Sequence, residues 1–190
     1  VTKPIKWVIG LGNPGERYDA TRHNAGAWLV DSLAESSKGF SPHKKFKALV
    51  SDVRLRDEKV MLAKPMCYMN ESGRVVRAIM DYYNVARDEI LIAHDELDLS
   101  PGTARFKLDG GHGGHNGLRD IIACTGGRDF WRLRLGIGHP GHRDEVHDYV
   151  LSRPSKADKQ HIERAIDEAT CALPIMVSGR VDEAMKLLHT

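Results

Sequence analysis

The apolar positions of the chain follow two rhythms, one of period two and one near 3.6, and they alternate from end to end. Ile5 to Leu11 is a short apolar run closed by glycines, as a buried strand would be. Gly26, Leu29, Val30, Leu33 and Ala34 then recur at helical spacing and predict a helix from near Asn24 to Ser36. Val53 and Leu55 alternate with Arg54 and Arg56, and the alternation resumes at Val60 and Leu62 after Asp57-Glu58, which predicts a hairpin. Val75, Val76, Ile79, Met80 and Tyr83 form a second helical stripe, with Asn70 as its expected N-cap. Ile90 to Ala93 reads as another buried strand, and Thr103 to Leu108 and Trp131 to Ile137 alternate like strands. Ile162, Ala165, Ile166, Ala169 and Leu173 mark a C-terminal helix that Pro174 should end or kink.

Interleaved strands and helices place the chain in the α/β class. The hairpin argues against a purely parallel sheet, so the expected architecture is a mixed central sheet flanked by helices. A chain of 190 residues fits one domain spanning 1–190, with no repeat, low-complexity tract or convincing linker. No apolar run approaches the ~18 residues of a membrane span. The opening Val1-Thr2-Lys3-Pro4 lacks a signal peptide's apolar stretch. Cys67, Cys124 and Cys171 are scattered, with no C-x-x-C pair, and read as reduced thiols of a cytoplasmic protein.

A formal net charge of +2 argues for no partner by itself, but its distribution is uneven. Between Pro101 and Arg143 the basic residues are Arg105, Lys107, Arg119, Arg128, Arg132, Arg134 and Arg143, against the acids Asp109, Asp120 and Asp129. A locally basic segment on a near-neutral chain suits a polyanion held against part of the surface; a merely solvated face is the alternative.

Three clusters carry candidate chemistry. The first, Gly10-Leu11-Gly12-Asn13-Pro14-Gly15, matches a dinucleotide fingerprint after a strand. Pro14 interrupts it, the helix starts only near Asn24, and Asp31 and Glu35 fall inside that helix, so the nucleotide reading fails. The loop instead forms a turn that exposes Asn13 and Tyr18 and leads to Arg22-His23-Asn24 at a helix start. The second cluster, His94-Asp95-Glu96-Leu97-Asp98-Leu99, leaves the carboxyl end of a buried strand, where α/β sheets build their sites. A carboxylate there would accept the N–H of His23 and stabilise its protonated form, and Asp95, next to the buried run, is the best placed. The third is the glycine run 110–119, which contains His112, His115 and Asn116. Glycines let a substrate approach the backbone closely, and His115, beside Asn116, joins the substrate-contacting set. A metal on His94, Asp95, His112 and His115 is the competing reading, weakened by the flexibility of the run. There is no G-x-S-x-G and no cysteine beside a histidine, so covalent catalysis has little support.

Taken together, five stretches resemble the successive signatures of bacterial-type peptidyl-tRNA hydrolases: 10–26 (GLGNPGERYDATRHNAG), 66–73 (MCYMNESG), 93–99 (AHDELDL), 110–120 (GGHGGHNGLRD) and 133–141 (LRLGIGHPG). The resemblance runs from the first strand past Gly141, and the tail matches less distinctly. It implies a single α/β domain, monomeric, without cofactor or metal, acting on peptidyl-tRNA. It matches His23 to the catalytic histidine and Asp95 to its partner carboxylate. Asn13, Asn70 and Asn116 match the asparagines that hold the peptide, the 3′-terminal adenosine and the attacking water. Tyr18 and Tyr68 match aromatic positions that contact substrate, and Lys107 and Arg134 match a basic pair that grips the tRNA 5′-phosphate. Cys67 stands where threonine is expected and Trp131 where histidine is expected; neither position carries a role, so both bear on local packing.

The implied chemistry is hydrolysis of an activated ester on a ribose hydroxyl. Water needs a general base near neutral pH, and carboxamides from Asn13, Asn70 or Asn116 would donate hydrogen bonds to the developing oxyanion. Two readings of other classes stand beside it: a non-catalytic RNA-binding module, and the metal-dependent hydrolase.

Overall fold

The computed structural model describes residues 2–189. Its seven strands are β1 (Trp7–Gly10), β2 (Ser41–Pro42), β3 (Ala48–Leu55), β4 (Glu58–Pro65), β5 (Ile90–Glu96), β6 (Ala104–Leu108) and β7 (Trp131–Gly136). The helices are α1 (Glu16–Asp19), α2 (Ala25–Leu33), α3 (Ser72–Tyr83), α4 (Asn116–Thr125), α5 (Val146–Val150), α6 (Lys156–Val177) and α7 (Val181–Leu188). The strands form one sheet in the order β2-β3-β4-β1-β5-β7-β6. Its middle four, β4-β1-β5-β7, are parallel, and β2, β3 and β6 join at the flanks by antiparallel pairing. The mixed sheet read from the hairpin is therefore present, with the parallel strands buried on both faces as such strands require.

Strand alternation divides the core into two layers. Val8, Leu62, Leu91, Ala93, Leu133 and Leu135 pack against α2 and α6. Trp7, Ile9, Ala63, Ile90 and Ile92 pack against α3 and α4. Trp131 belongs to the first layer, in keeping with a packing role for that departure. On the second face the sheet changes character beyond β5. The cross-strand pairs Arg105–Arg134 and Lys107–Arg132, together with the β5 pair Ile92–Arg132, put four basic side chains on that side of β6 and β7.

Two glycines set how closely α2 meets the sheet. A Cβ on Gly26 would overlap the Ala93 carbonyl oxygen, and one on Gly10 would overlap the Gly26 carbonyl. Backbone bonds from Leu11 N to Ala93 O and from Ala27 N to Leu11 O, each 3.1 Å, lock this approach. It brings the turn that precedes α2 to the carboxyl end of β5.

Three expectations need correction. Asn70 does not cap the second helix; it lies within a 3₁₀ turn, Met69–Glu71, and α3 starts at Ser72. Of the two outcomes expected at Pro174, an end or a kink, the end is not found, because α6 continues to Val177. Ile175, Met176 and Val177 are buried in the core, and burial of that last turn outweighs the one backbone bond that proline removes. The hairpin is also longer than its alternation suggests, because Ala48 to Leu55 pairs with Glu58 to Pro65 throughout. At the outer edge of the sheet, the His189 imidazole, just past α7, accepts the Phe106 N–H through Nε2 at 3.0 Å.

Candidate active site

The loop after β1 is held from within. Asn24 clamps the Asn13 backbone twice, its Oδ1 accepting from Asn13 N at 2.9 Å and its Nδ2 donating to Asn13 O at 3.0 Å. The Asn13 side chain in turn accepts the Met69 N–H at 2.7 Å. That bond commits the carboxamide oxygen, so the group Asn13 has left to offer is its amino group, a donor. Asn13 is buried rather than exposed by the turn, because both of these partners enclose it.

His23 occupies a 3₁₀ turn, Arg22–Asn24, and is 7% exposed. Its Nδ1 lies 3.0 and 2.9 Å from the two oxygens of Asp95. Asp95 is 3% exposed and sits inside β5 rather than after it. Burial alone would raise the Asp95 pKa, but the charges and N–H groups of His23 and His115 overcome it and hold the carboxyl far below its ordinary range. An ionised carboxylate only accepts, so Nδ1 of His23 carries a proton, and in the neutral ring Nε2 is the free base. Burial also opposes charge on His23, yet the Asp95 charge and hydrogen bond outweigh it, and the His23 pKa is raised above 6.5.

His115 is the second partner of the carboxylate, with Nε2 2.8 Å from Asp95 Oδ1. Its other nitrogen caps α4, accepting from Gly117 N at 3.1 Å and Leu118 N at 3.3 Å. The neighbouring His94 is fully buried, its Nδ1 directed at the Asp95 carbonyl at 2.8 Å. Burial and the nearby His115 push its pKa down to about 4, so it is neutral at physiological pH. His23, Asp95 and His115 are the described residues whose donor atoms converge within 4.8 Å. The set differs from the His94, Asp95, His112 and His115 group read from the sequence. With amides on Nδ1 of His115, its Nε2 holds the proton and has no lone pair for a metal; the geometry is that of a proton network.

All eight cleft residues singled out in the sequence line one cavity of about 420 Å³: Asn13, Tyr18, His23, Tyr68, Asn70, Asp95, His115 and Asn116. Tyr18 and Tyr68 meet edge to face across 6.3 Å, and Tyr68 is exposed. Asn116 opens α4, with its Oδ1 accepting from Arg119 at 3.3 Å. Lys107 and Arg134 do not line this cavity. Lys107 is exposed on the basic side of β6. Arg134 is half-buried and paired with Glu96, Nε to Oε1 at 2.9 Å, and Glu96 itself reaches the cleft. Arg132, on the same side, is buried and donates to the carbonyls of Gly110 and Gly111, which anchors the glycine run.

One wall of the cavity, Val146, Val150 and Leu151 of α5 and its flank, had no signal in the sequence beyond short apolar spacing. Arg22 joins that wall to the His23 turn. Its backbone N–H and Nη1 donate to the Ser152 carbonyl, and Nη1 also reaches Ser152 Oγ and the Tyr149 carbonyl.

The chain matches the family model described as "Peptidyl-tRNA hydrolase" over residues 7–190. It is 50% identical over 188 residues to the peptidyl-tRNA hydrolase of Chromohalobacter salexigens, covering 98% of this chain and 97% of that protein. It is 51% identical over 186 residues to that of Legionella pneumophila strain Paris, covering 97% and 98%. The crystal structure of peptidyl-tRNA hydrolase from Acinetobacter baumannii superposes with a TM-score of 0.94 at 42% identity, covering 99% of this chain and 96% of that one.

Proposed function

The chain belongs to the peptidyl-tRNA hydrolase family and hydrolyses peptidyl-tRNA, and from that premise we propose that His23 is the general base of the reaction, oriented by Asp95 and made more basic by its charge. The observation that carries the reading is the His23–Asp95 pair within the cleft. Nδ1 of His23 is spent on the carboxylate, and Nε2 is the atom that takes a proton from water as it attacks the ester carbonyl. Asp95 stabilises the imidazolium that forms. The proton then passes to the departing ribose oxygen, which leaves tRNA and a free peptide.

The Asn13 amino group is oriented by the Met69 bond and donates to a substrate carbonyl or to the oxyanion that develops there. Asn70 and Asn116 contact the 3′-terminal adenosine and the water, and Tyr18, Tyr68 and His115 bound the substrate. A peptide amide satisfies such a cleft, whereas the α-ammonium of a free aminoacyl-tRNA would be desolvated beside carboxylates already committed, Asp95 to His23 and His115 and Glu96 to Arg134; this disfavours free aminoacyl-tRNA. Lys107 and Arg134 grip a phosphate of the tRNA outside the cleft, on the basic side of β6 and β7. A monomer is what the family resemblance implies, and three free cysteines suit a cytoplasmic enzyme.

Hydrolysis of N-acetylaminoacyl-tRNA, with and without chelator, tests the reading. Chelator-resistant turnover is expected, with kcat of His23→Ala lower by a factor on the order of 10²–10⁴ while substrate still binds. Near-normal turnover by His23→Ala would remove His23 as the base.

A further inference from the structure

Asp95 serves two imidazoles, and the second is as well defined as the first. Asp95 Oδ1 lies 3.0 Å from His23 Nδ1 and 2.8 Å from His115 Nε2, and Oδ2 lies 2.9 Å from His23. The ring centroids of the two histidines are 4.8 Å apart at 50°. What distinguishes His115 is its other nitrogen. Nδ1 faces the N–H groups of Gly117 and Leu118, in the first turn of α4. Backbone amides only donate, so Nδ1 holds a lone pair and the ring proton is on Nε2, aimed at Asp95.

We infer that His115 is a positioning residue for the reaction: the first turn of α4 fixes its tautomer, and the N–H so directed holds the Asp95 carboxylate and takes up part of the charge that Asp95 presents to His23. This rests on His23 as the base. A carboxylate that accepts from one imidazole alone would rotate freely about its Cβ–Cγ bond within the limits of that contact. The second donor sets its plane, and thereby the plane of the His23 ring. Sharing the charge also makes His23 less basic than it would be opposite an undivided carboxylate. A base whose pKa lies too far above the working pH is already protonated and idle, so this division keeps more His23 in its active form. The other ionisable groups that border the cleft around His23 are His94 and Glu96 from β5, His112 from the glycine run, Tyr18 from α1, Tyr68, and Arg143 and His147 from the wall.

The α4 cap and the Asp95 contact can be separated in one substitution. Asparagine is among the best N-caps, so His115→Asn keeps an acceptor for the α4 amides. Its side chain is too short to replace the imidazole at Asp95. Nitrogen-15 NMR of the wild-type protein should find His115 as the Nε2–H tautomer. In His115→Asn the His23 titration, followed by NMR, should move to higher pH by about half a unit or more. The acid limb of kcat/KM should move with it, and kcat near pH 7 should fall, with thermal stability close to wild type. An Nδ1–H tautomer for His115 in the wild type, or a His23 titration that stays or moves down in the variant, overturns the inference. If the His23 titration moves and the rate profile does not follow, the coupling stands and His23 is not the base. If His115→Asn does not fold, the wild-type tautomer alone decides.

Discussion

The guanidinium of Arg22 lies 3.8 Å from the centre of the Tyr149 ring, across 127 residues of sequence, and donates to the Tyr149 carbonyl as well. Arg22 precedes His23 directly, and Tyr149 belongs to α5, the helix that walls the cleft. The position of the base and the shape of the cleft therefore depend on one buried cation. Arg22→Met should leave the carbonyls of Tyr149 and Ser152 without this donor and destabilise the fold by about 2–3 kcal/mol. Chemical denaturation measures that loss, and kcat should fall along with it as the His23 turn loosens. Wild-type stability and kcat in this variant would disconnect the wall from the base.

The pH dependence follows from the sign of the His23 shift. The base works only when neutral, and its pKa is raised above 6.5, so kcat/KM should fall as pH drops through a limb above 6.5. In Asp95→Asn the raising charge is gone while burial remains, so the limb should move to lower pH. Turnover on the plateau should drop as well, because the carboxamide permits the wrong tautomer and leaves a weaker base. A limb that stays in place in Asp95→Asn would break the assignment.

Grip and chemistry separate at the basic side of the sheet. Lys107→Glu should raise KM for full-length peptidyl-tRNA and flatten its salt dependence, with kcat nearly intact. A peptide ester of the terminal adenosine lacks the distant phosphate and should be hydrolysed at nearly the wild-type rate. Arg134 needs a milder change, because a glutamate there would face Glu96, whose carboxylate now sits 2.9 Å from the Arg134 Nε. Arg134→Gln should reproduce the KM effect. Equal slowing of short and full-length substrates would place both residues at the chemical centre or in folding.

Gly26 tests how closely α2 must approach the sheet. Its missing side chain lets the helix rest on the Ala93 carbonyl, two residues before Asp95. Gly26→Ala should force the helix outward, at a cost of about 3 kcal/mol by the usual scale of overpacking. Because the same helix carries the His23 turn, kcat should fall in the fraction that still folds. Thermal melts and a single-turnover assay check the two effects separately; an unchanged melting temperature would contradict the close contact.

Much of this arrangement was legible in the sequence where burial is periodic. The runs at Ile5 and Ile90, the hairpin at Val53 to Leu62 and the stripes at Leu29, Val76 and Ile166 all report a face turned to the core. The interruptions were harder. α4 begins at Asn116 inside a glycine run that masks its start, and the helix is capped by a histidine, a residue outside the usual capping set. Pro174 obeyed local preference in the reading and tertiary packing in the protein. The eight cleft residues came from motif order, and the fold brings them to one cavity. Arg22 and Asn24 were named only as the neighbours of His23, and the α5 wall not at all, because their roles arise from contacts that only the folded chain brings together. Asn24 grips a backbone eleven residues away, and Arg22 one more than a hundred away. The Glu96–Arg134 pair was equally hidden, since only strand order sets those side chains side by side.

The His189 imidazole on β6 bears on how the molecule behaves in a crowded solution. β6 is the last strand of the sheet, and the N–H of Phe106 on it is a docking point for a strand from another molecule. A side chain from the same chain already sits there at 3.0 Å. A ring cannot pass a ladder onward as a backbone does, so growth of the sheet past β6 by addition of a neighbour meets a stop at the middle of that strand. The β6 edge thus carries a guard against edge-to-edge pairing that uses one histidine and no extra strand.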